Sequence, residues 1–274
     1  MVREVTALGE SCRMQQSSLS VRRDNSVAYV ALERPEVRNA FNAEAIAELD
    51  GTFAALETDD GVRAIVLSGA GKTFCGGADV TWMRASLELS RDENLEDARA
   101  MSRMFRRIDR TAKPVIGRIH GAALGGGAGL VACCDVAIAS AGTLFGFTET
   151  KLGIMPAVIS PFVLAKIGLS HARALALTGE RFDAERALAI GLIHEVVASD
   201  DALDAAVARV LGEIRSASPT GVAATKRLFA NVVEATYDAT LEITAEAIAA
   251  QRTSAEGQDG LRAFLDKRAP AWAT

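Results

Sequence analysis

Three short stretches of the chain combine residue types that could do chemistry. In FGFTETKLGIMPA, residues 145–157, Glu149 follows one apolar run and precedes another. Apolar surroundings penalise a charged carboxylate, so its pKa rises toward the range where it can accept and return a proton. The competing reading is a loop glutamate paired with Lys151. In GKTFCGGADV, residues 71–80, glycines let the backbone turn sharply before a helix opens at Ala78-Asp79. The first N–H groups of a helix have no partner within it and point outward, so Ala78 is a candidate main-chain donor to a negative oxygen. An ordinary strand-to-helix turn would look the same.

The third stretch is HGAALGGGAGLVACCD, residues 120–135, where three consecutive glycines precede a helix. They expose further N–H groups and let a ligand approach the main chain. Close packing of this helix on a neighbour would also use them, and His120 reads as a satisfied loop or core histidine. Gly127-x-Gly129-x-x-Ala132 fits a loose dinucleotide fingerprint. Against that reading, several residues separate the preceding strand from the glycines. The next strand, VAIAS, ends at Ser140 rather than at an acid that could hold a ribose.

The elements that must position these stretches follow from pattern. SVAYVAL (26–32), RAIVL (63–67), VIGRI, VAIAS and TLFGF read as strands, the last two separated by a turn at Ala141-Gly142. Asn42 can cap a helix running to about Glu57, with Ile46, Leu49, Phe53 and Leu56 on one stripe. Another amphipathic helix is expected over 95–110, capped by Asn94, with Ala98, Met101, Phe105 and Ile108 inward. Beyond Pro161 the pattern is mostly helical. Alternating strands and helices followed by helices alone predict an α/β core with a helical C-terminal part.

Composition narrows the function classes. The 274 residues carry a net charge of −5, which leaves no basic stripe for nucleic-acid phosphates. Arg103, Arg106, Arg107 and Arg110 read as one solvated helix face. Cys12, Cys75, Cys133 and Cys134 form no disulfide framework, pointing to a reducing, cytoplasmic setting. No apolar run approaches the roughly 20 residues that span a bilayer. Residues 1–18 read as a loose extension without a secretory apolar core, and Glu4 and Glu10 are out of place in a transit peptide. The three histidines are scattered, with no metal-ligand spacing.

From about residue 20 onward the chain resembles the enoyl-CoA hydratase/isomerase (crotonase) superfamily. The resemblance rests on ERPEVRNAF, GAGKTFCGGAD, KPVIGRIHGAALGGG, ETKLGIMP, ALTGERFDAERALAIGLIHEVV and EGQDGLRAFLDKRAP, in that order. It implies a crotonase-like (ClpP/crotonase) α/β fold: a spiral of repeated β-β-α units over 19–200 and a helical trimerisation region over 201–274. It implies an acyl-CoA thioester as substrate, no cofactor beyond the coenzyme A the substrate carries, and homotrimers or dimers of trimers; that no metal, nucleic acid or membrane partner is expected follows from the composition and spacing above. By the same resemblance, Ala78 and Gly126 donate two N–H groups to an enolate oxygen, an oxyanion hole, and Glu149 is the acid/base. Asp79, Val80 and Thr81 would line the coenzyme A groove, while Arg38, Phe264 and Lys267 would reach its nucleotide end.

Two departures stand out. Gly129 occupies the position where typical hydratases carry a first glutamate, and PAVISPFV replaces a Gly-rich segment. PAVISPFV with ADVTWM, NLEDAR and GERFDA resembles the branch containing methylglutaconyl-CoA and carboxygeranoyl-CoA hydratases. The expectation is therefore an enoyl-CoA hydratase for a branched or carboxylated acyl chain. The alternatives are an isomerase using Glu149 as single proton shuttle, or a non-catalytic acyl-CoA-binding subunit.

Overall fold

A computed structural model describes residues 17–273. In chain order its elements are β1 (Leu19–Asp24), β2 (Val27–Leu32), α1 (Ala43–Glu57), β3 (Ala64–Gly69), α2 (Val80–Ala85), α3 (Arg91–Arg110), β4 (Val115–Ile119), β5 (Ala122–Leu124), α4 (Gly126–Cys133), β6 (Val136–Ser140) and β7 (Leu144–Gly146). There follow α5 (Ser160–Thr178), β8 (Arg181–Phe182), α6 (Ala184–Ala189), β9 (Glu195–Val197), α7 (Asp200–Ser216), α8 (Pro219–Glu234), α9 (Tyr237–Thr253) and α10 (Ala255–Leu265). The main sheet runs β1-β2-β3-β4-β6-β9, parallel except for the β1–β2 hairpin. A small sheet, β5-β7-β8, stands beside it.

The repeat is visible in how the chain alternates between these sheets. After β4 comes β5 and then α4; after β6 comes β7 and then α5. Two earlier turns keep the same plan with the small-sheet strand reduced to one bridge. Phe41, between β2 and α1, pairs with Ala78; Cys75, between β3 and α2, pairs with Ala123. Each turn of the spiral thus leaves one short segment against its neighbour, and the two Gly-rich stretches are such segments.

Strand residues alternate between two apolar layers, as a period of two requires. Ile65 and Leu67 of β3 face the large core with Phe53, Phe74 and Phe105. Ala64 and Val66 face the other way, packing with Ile116 and Ile138 against Leu203, Val207 and Leu211 of α7.

Most expected elements are present, with instructive shifts. Asn42 caps α1, its Oδ1 accepting from the Ala45 N–H at 2.9 Å. The helix expected over 95–110 begins four residues earlier. Ser90 and Glu93 form a reciprocal capping box there, and Asn94 instead donates to the carbonyls of Ser86, Leu89 and Ser90. Strand β1 was not expected. Most of the extension assigned to 1–18 lies outside the described residues. Its last two residues join the fold: Ser18 is buried, and its N–H donates to Glu48 at 2.8 Å.

Candidate active site

A cavity of about 330 Å³ opens between the two Gly-rich segments, α3 and the stretch after β7. Ala78, Gly126 and Glu149 all line it. The backbone brings them there by direct hydrogen bonding. Segment 74–78 lies parallel to 120–124: Phe74 N–H donates to the His120 carbonyl, Cys75 N–H to Ala122 and Leu124 N–H to Cys75, each at 3.0 Å. The Phe41–Ala78 bridge uses the Gly77 carbonyl and the Asp79 N–H, at 2.7 Å each. The intervening Ala78 N–H is left without an acceptor among the described residues. Gly126 is the first residue of α4, and its N–H likewise has no partner there. Two residues whose main-chain N–H groups lack acceptors among the described residues therefore line one cavity from neighbouring turns of the spiral.

Glu149 is tied to the same frame. Gly125 N–H donates to the Gly146 carbonyl at 2.8 Å, joining the start of α4 to β7. Glu149 then opens a short 3-10 turn, which Thr150 pins to α5 through the Ala176 carbonyl at 2.8 Å. Gly125 has φ 51° and ψ −119°, open in practice to glycine. A Cβ there would lie 3.1 Å from Glu149 Oε1. The carboxylate thus sits directly over the start of α4. Its Oε2 is buried without a hydrogen-bond partner among the described residues. Burial raises the Glu149 pKa above the ordinary carboxylate value, and a backbone hydrogen bond only partly opposes this. Glu149 forms no ion pair with Lys151 among the described residues, so the exposed-loop reading of this side chain is not what the fold builds.

A family model described as enoyl-CoA hydratase/isomerase matches residues 22–274. The chain belongs to the enoyl-CoA hydratase/isomerase family. Among its relatives in this family, the (E)-benzylidenesuccinyl-CoA hydratase of Thauera aromatica is 34% identical over 90% of this chain and 96% of its own length. The short-chain-enoyl-CoA hydratase of Clostridium acetobutylicum is 31% identical over 93% and 97%. The crystal structure of an enoyl-CoA hydratase from Shewanella pealeana superimposes with a TM-score of 0.90 at 39% identity, covering 93% of this chain and 96% of that one. The crotonase fold is thereby shown.

Other residues named from sequence fall elsewhere in this enoyl-CoA hydratase/isomerase family member. Asp79 directly follows Ala78 but is turned inward. Its Oδ2 pairs with Arg34 Nη2 at 2.8 Å, and its Oδ1 caps α2 through the Thr81 N–H at 2.7 Å. Burial works against its charge, but Arg34 and the helix N–H groups hold its pKa below the usual value. Val80 and Thr81 are exposed and do not line the cavity. Arg38 is exposed, in the left-handed region, and its carbonyl accepts from Gly76 N–H at 2.8 Å, bracing the first Gly-rich turn. Phe264, highly exposed on α10, and Lys267 beyond it do not reach the cavity within the chain.

The dinucleotide reading fails on space. Gly127 lies against the Cys75 carbonyl, and a Cβ on Gly129 would meet Ile159 Cβ at 2.9 Å and the Phe105 ring at 3.1 Å. No phosphate can approach these glycines. His120 places Nε2 2.9 Å from the Gly71 carbonyl and leaves Nδ1 buried without a partner among the described residues. Among the described residues no group of three or more His, Cys, Asp or Glu side chains could hold a metal, and no helix is long and apolar enough to cross a membrane.

Sequence reasoning missed two residues that set the site. Arg34 reaches both Asp79 and the Ala40 carbonyl. Asn39, buried at φ 54°, donates to the carbonyls of Ala70 and Thr73 at 2.9 and 2.7 Å and accepts from Arg34 N–H at 2.9 Å. The signal available was ERPEVRN itself, in which an asparagine follows a proline-led turn, a place where its side chain commonly bonds to backbone.

Proposed function

We propose that this enzyme adds water across the double bond of an enoyl-CoA thioester. The observation carrying this reading is the buried Oε2 of Glu149, without a partner among the described residues, on the cavity that Ala78 and Gly126, with their N–H groups free of acceptors there, also line. The thioester oxygen sits between the two N–H groups, which strengthen their hold as negative charge builds on it in the enolate. Glu149 takes one proton from a water whose oxygen bonds to C3. The protonated carboxyl then returns that proton to C2. Its raised pKa suits both halves.

The relatives differ in acyl group at similar identity, so the acyl chain is read from the cavity. Its walls include Phe41, Trp82, Met101, Met155 and Ile159, with Asp97 as a second carboxylate and, among the described residues, no Lys, Arg or His. A carboxylated acyl tail would find no counter-charge there. The apolar walls favour a short or branched neutral chain over the carboxylated one that the sequence also suggested. The isomerase reading draws support from Gly129: Ile159 fills the space where a second glutamate would stand. One carboxylate suffices to carry a proton from C2 to C4.

The same reading includes assembly into trimers. Helices α8 and α9 contain no buried residue, and Val233 and Tyr237 are each 84% exposed. An apolar surface of this extent supports contact with further copies, from which Phe264 and Lys267 could reach a neighbouring cavity. The buried free thiols support a reducing compartment.

The test is mass spectrometry of straight, branched and carboxylated enoyl-CoA esters incubated in heavy water, with Glu149→Gln as control. A product heavier by one water, absent with the variant, supports hydration. Deuterium uptake with a moved double bond and no added water makes the enzyme an isomerase instead.

A further inference from the structure

A second cavity of about 270 Å³ lies behind the first. Its lining is mostly apolar, with Phe147, Val163, Leu164, Ala176 and Leu177, and also includes Ser160 and Arg173. The two cavities have Pro156 and Ile159 in common, so these two residues form the wall between them. Proline has little freedom to move from such a wall. Ile159 is the removable part. It is only 2% exposed, and its side chain is held on one side by Gly129, against which it packs so closely that no Cβ fits there. The Phe105 ring closes on Gly129 as well and lies at a tilt to Phe162, with centroids 5.9 Å apart. The branched side chain is stiff about its first torsion and cannot swing aside cheaply. The catalytic cavity alone lies at the small end of ligand pockets, which run from about 300 to 1,000 Å³.

We propose that Ile159 is the chain-length stop of this enzyme: the acyl group ends against it, and the apolar groove beyond is an extension that Ile159 keeps closed. The proposal rests on the enoyl-CoA reading for the identity of the ligand. Its geometry requires only that an acyl chain enters the cavity from the side of Ala78 and Gly126. Ile159 also fills the place where a carboxylate on residue 129 would stand, so the affinity of the saturated esters, which undergo no reaction, is the readout that isolates its effect on length from any effect on rate.

The experiment compares wild type, Ile159→Val and Ile159→Ala across trans-2-enoyl-CoA esters of four to twelve acyl carbons. In parallel, the affinity of the saturated acyl-CoA esters of the same lengths is measured. Expected is a fall in wild-type kcat/KM and affinity beyond a limiting length. That limit moves outward by two or more carbons in Ile159→Ala and by less in Ile159→Val, with at least a tenfold gain for the first ester past the wild-type limit. Adding Ala176→Phe, which fills the groove beyond the wall, to Ile159→Ala should return the profile to the wild-type limit. Unchanged length profiles in folded Ile159→Ala protein overturn the proposal. So does a gain that survives Ala176→Phe, because the extra carbons are then not in this groove. If no ester is turned over but the affinity limit moves as described, the hydratase reading fails and the wall stands. Thermal melts of each variant separate loss of fold from loss of selectivity, and the milder Ile159→Val keeps the comparison readable if the alanine variant is unstable.

Discussion

At Glu149, burial acts on two measurable quantities at once. The folded-state pKa lies above the value of an exposed glutamate, so the neutral form is favoured in the fold. Below the unfolded pKa both states are protonated and the group adds no penalty. As pH rises through the folded pKa, the buried charge forms and stability falls. Glu149→Gln should therefore melt higher than wild type at neutral pH and nearly equal to it at pH 4, a difference that scanning calorimetry at both values reads directly. Turnover should fall by about 10²- to 10⁴-fold in the same variant, the usual worth of a positioned acid/base. Gly126 gives a second, steric test. A Cβ there would lie 2.8 Å from the buried Phe41 ring, which packs edge-on to Phe105. Gly126→Ala should lose about 1–3 kcal/mol of stability through overpacking. It should also lower kcat by roughly 10²-fold or more as the N–H leaves its line of aim, with little change in affinity for saturated acyl-CoA.

At the scale of elements, the short helix α2 depends on Asp79. This carboxylate caps the helix and neutralises Arg34, whose other nitrogen grips the Ala40 carbonyl next to the Phe41–Ala78 bridge. Asp79→Asn keeps most of the cap but strands a largely buried guanidinium, a change that typically costs about 3–5 kcal/mol. Urea unfolding should show a loss of that size at pH 7. The loss shrinks at acid pH as the wild-type Asp79, ionised to below its usual value, finally protonates. How far such elements were legible depended on whether their cause was local. The Asn42 cap and the α1 stripe lie within a few residues of each other and were read correctly. The Ser90–Glu93 box was equally local and could have been read in SRDE, the S-x-x-E signature of a helix start; Asn94 drew the reading away because asparagine is also a good cap. Strand β1 was invisible because five of its six residues are exposed, so LSVRRD carries no core-facing alternation. The Arg34–Asp79 pair spans 45 residues of chain and leaves no periodic trace. The stretches that carry the three residues on the cavity stood out because glycine clusters and an isolated carboxylate are unusual in apolar stretches, while the choice of Gly126 among the glycines came from the family resemblance. The residues that hold them did not, because their partners come from other turns of the spiral.

At the scale of the whole molecule, the helices after α7 are the part least explained by a single chain. Their exposed apolar residues include Phe229, Leu241 and Leu265 as well as those named above. Light scattering coupled to size exclusion should return a mass near three or six times the 28.8 kDa of one chain. Charged substitutions such as Val233→Lys should shift it toward the monomer. The core itself offers a different kind of readout. Cys75, Cys133 and Cys134 are free and buried, and burial pushes the Cys75 and Cys134 thiols up to about 12. A thiol reacts only when exposed and ionised, so the native fold silences all three. Cys75 lies in the seam where segment 74–78 is bonded to 120–124. Its labelling by a disulfide reagent, in a Cys12→Ser background, thus becomes a clock that ticks only when that seam parts. A bound acyl-CoA that stabilises the closed seam should slow the clock by the factor one plus its concentration over its Kd, about a hundredfold at a hundred times Kd.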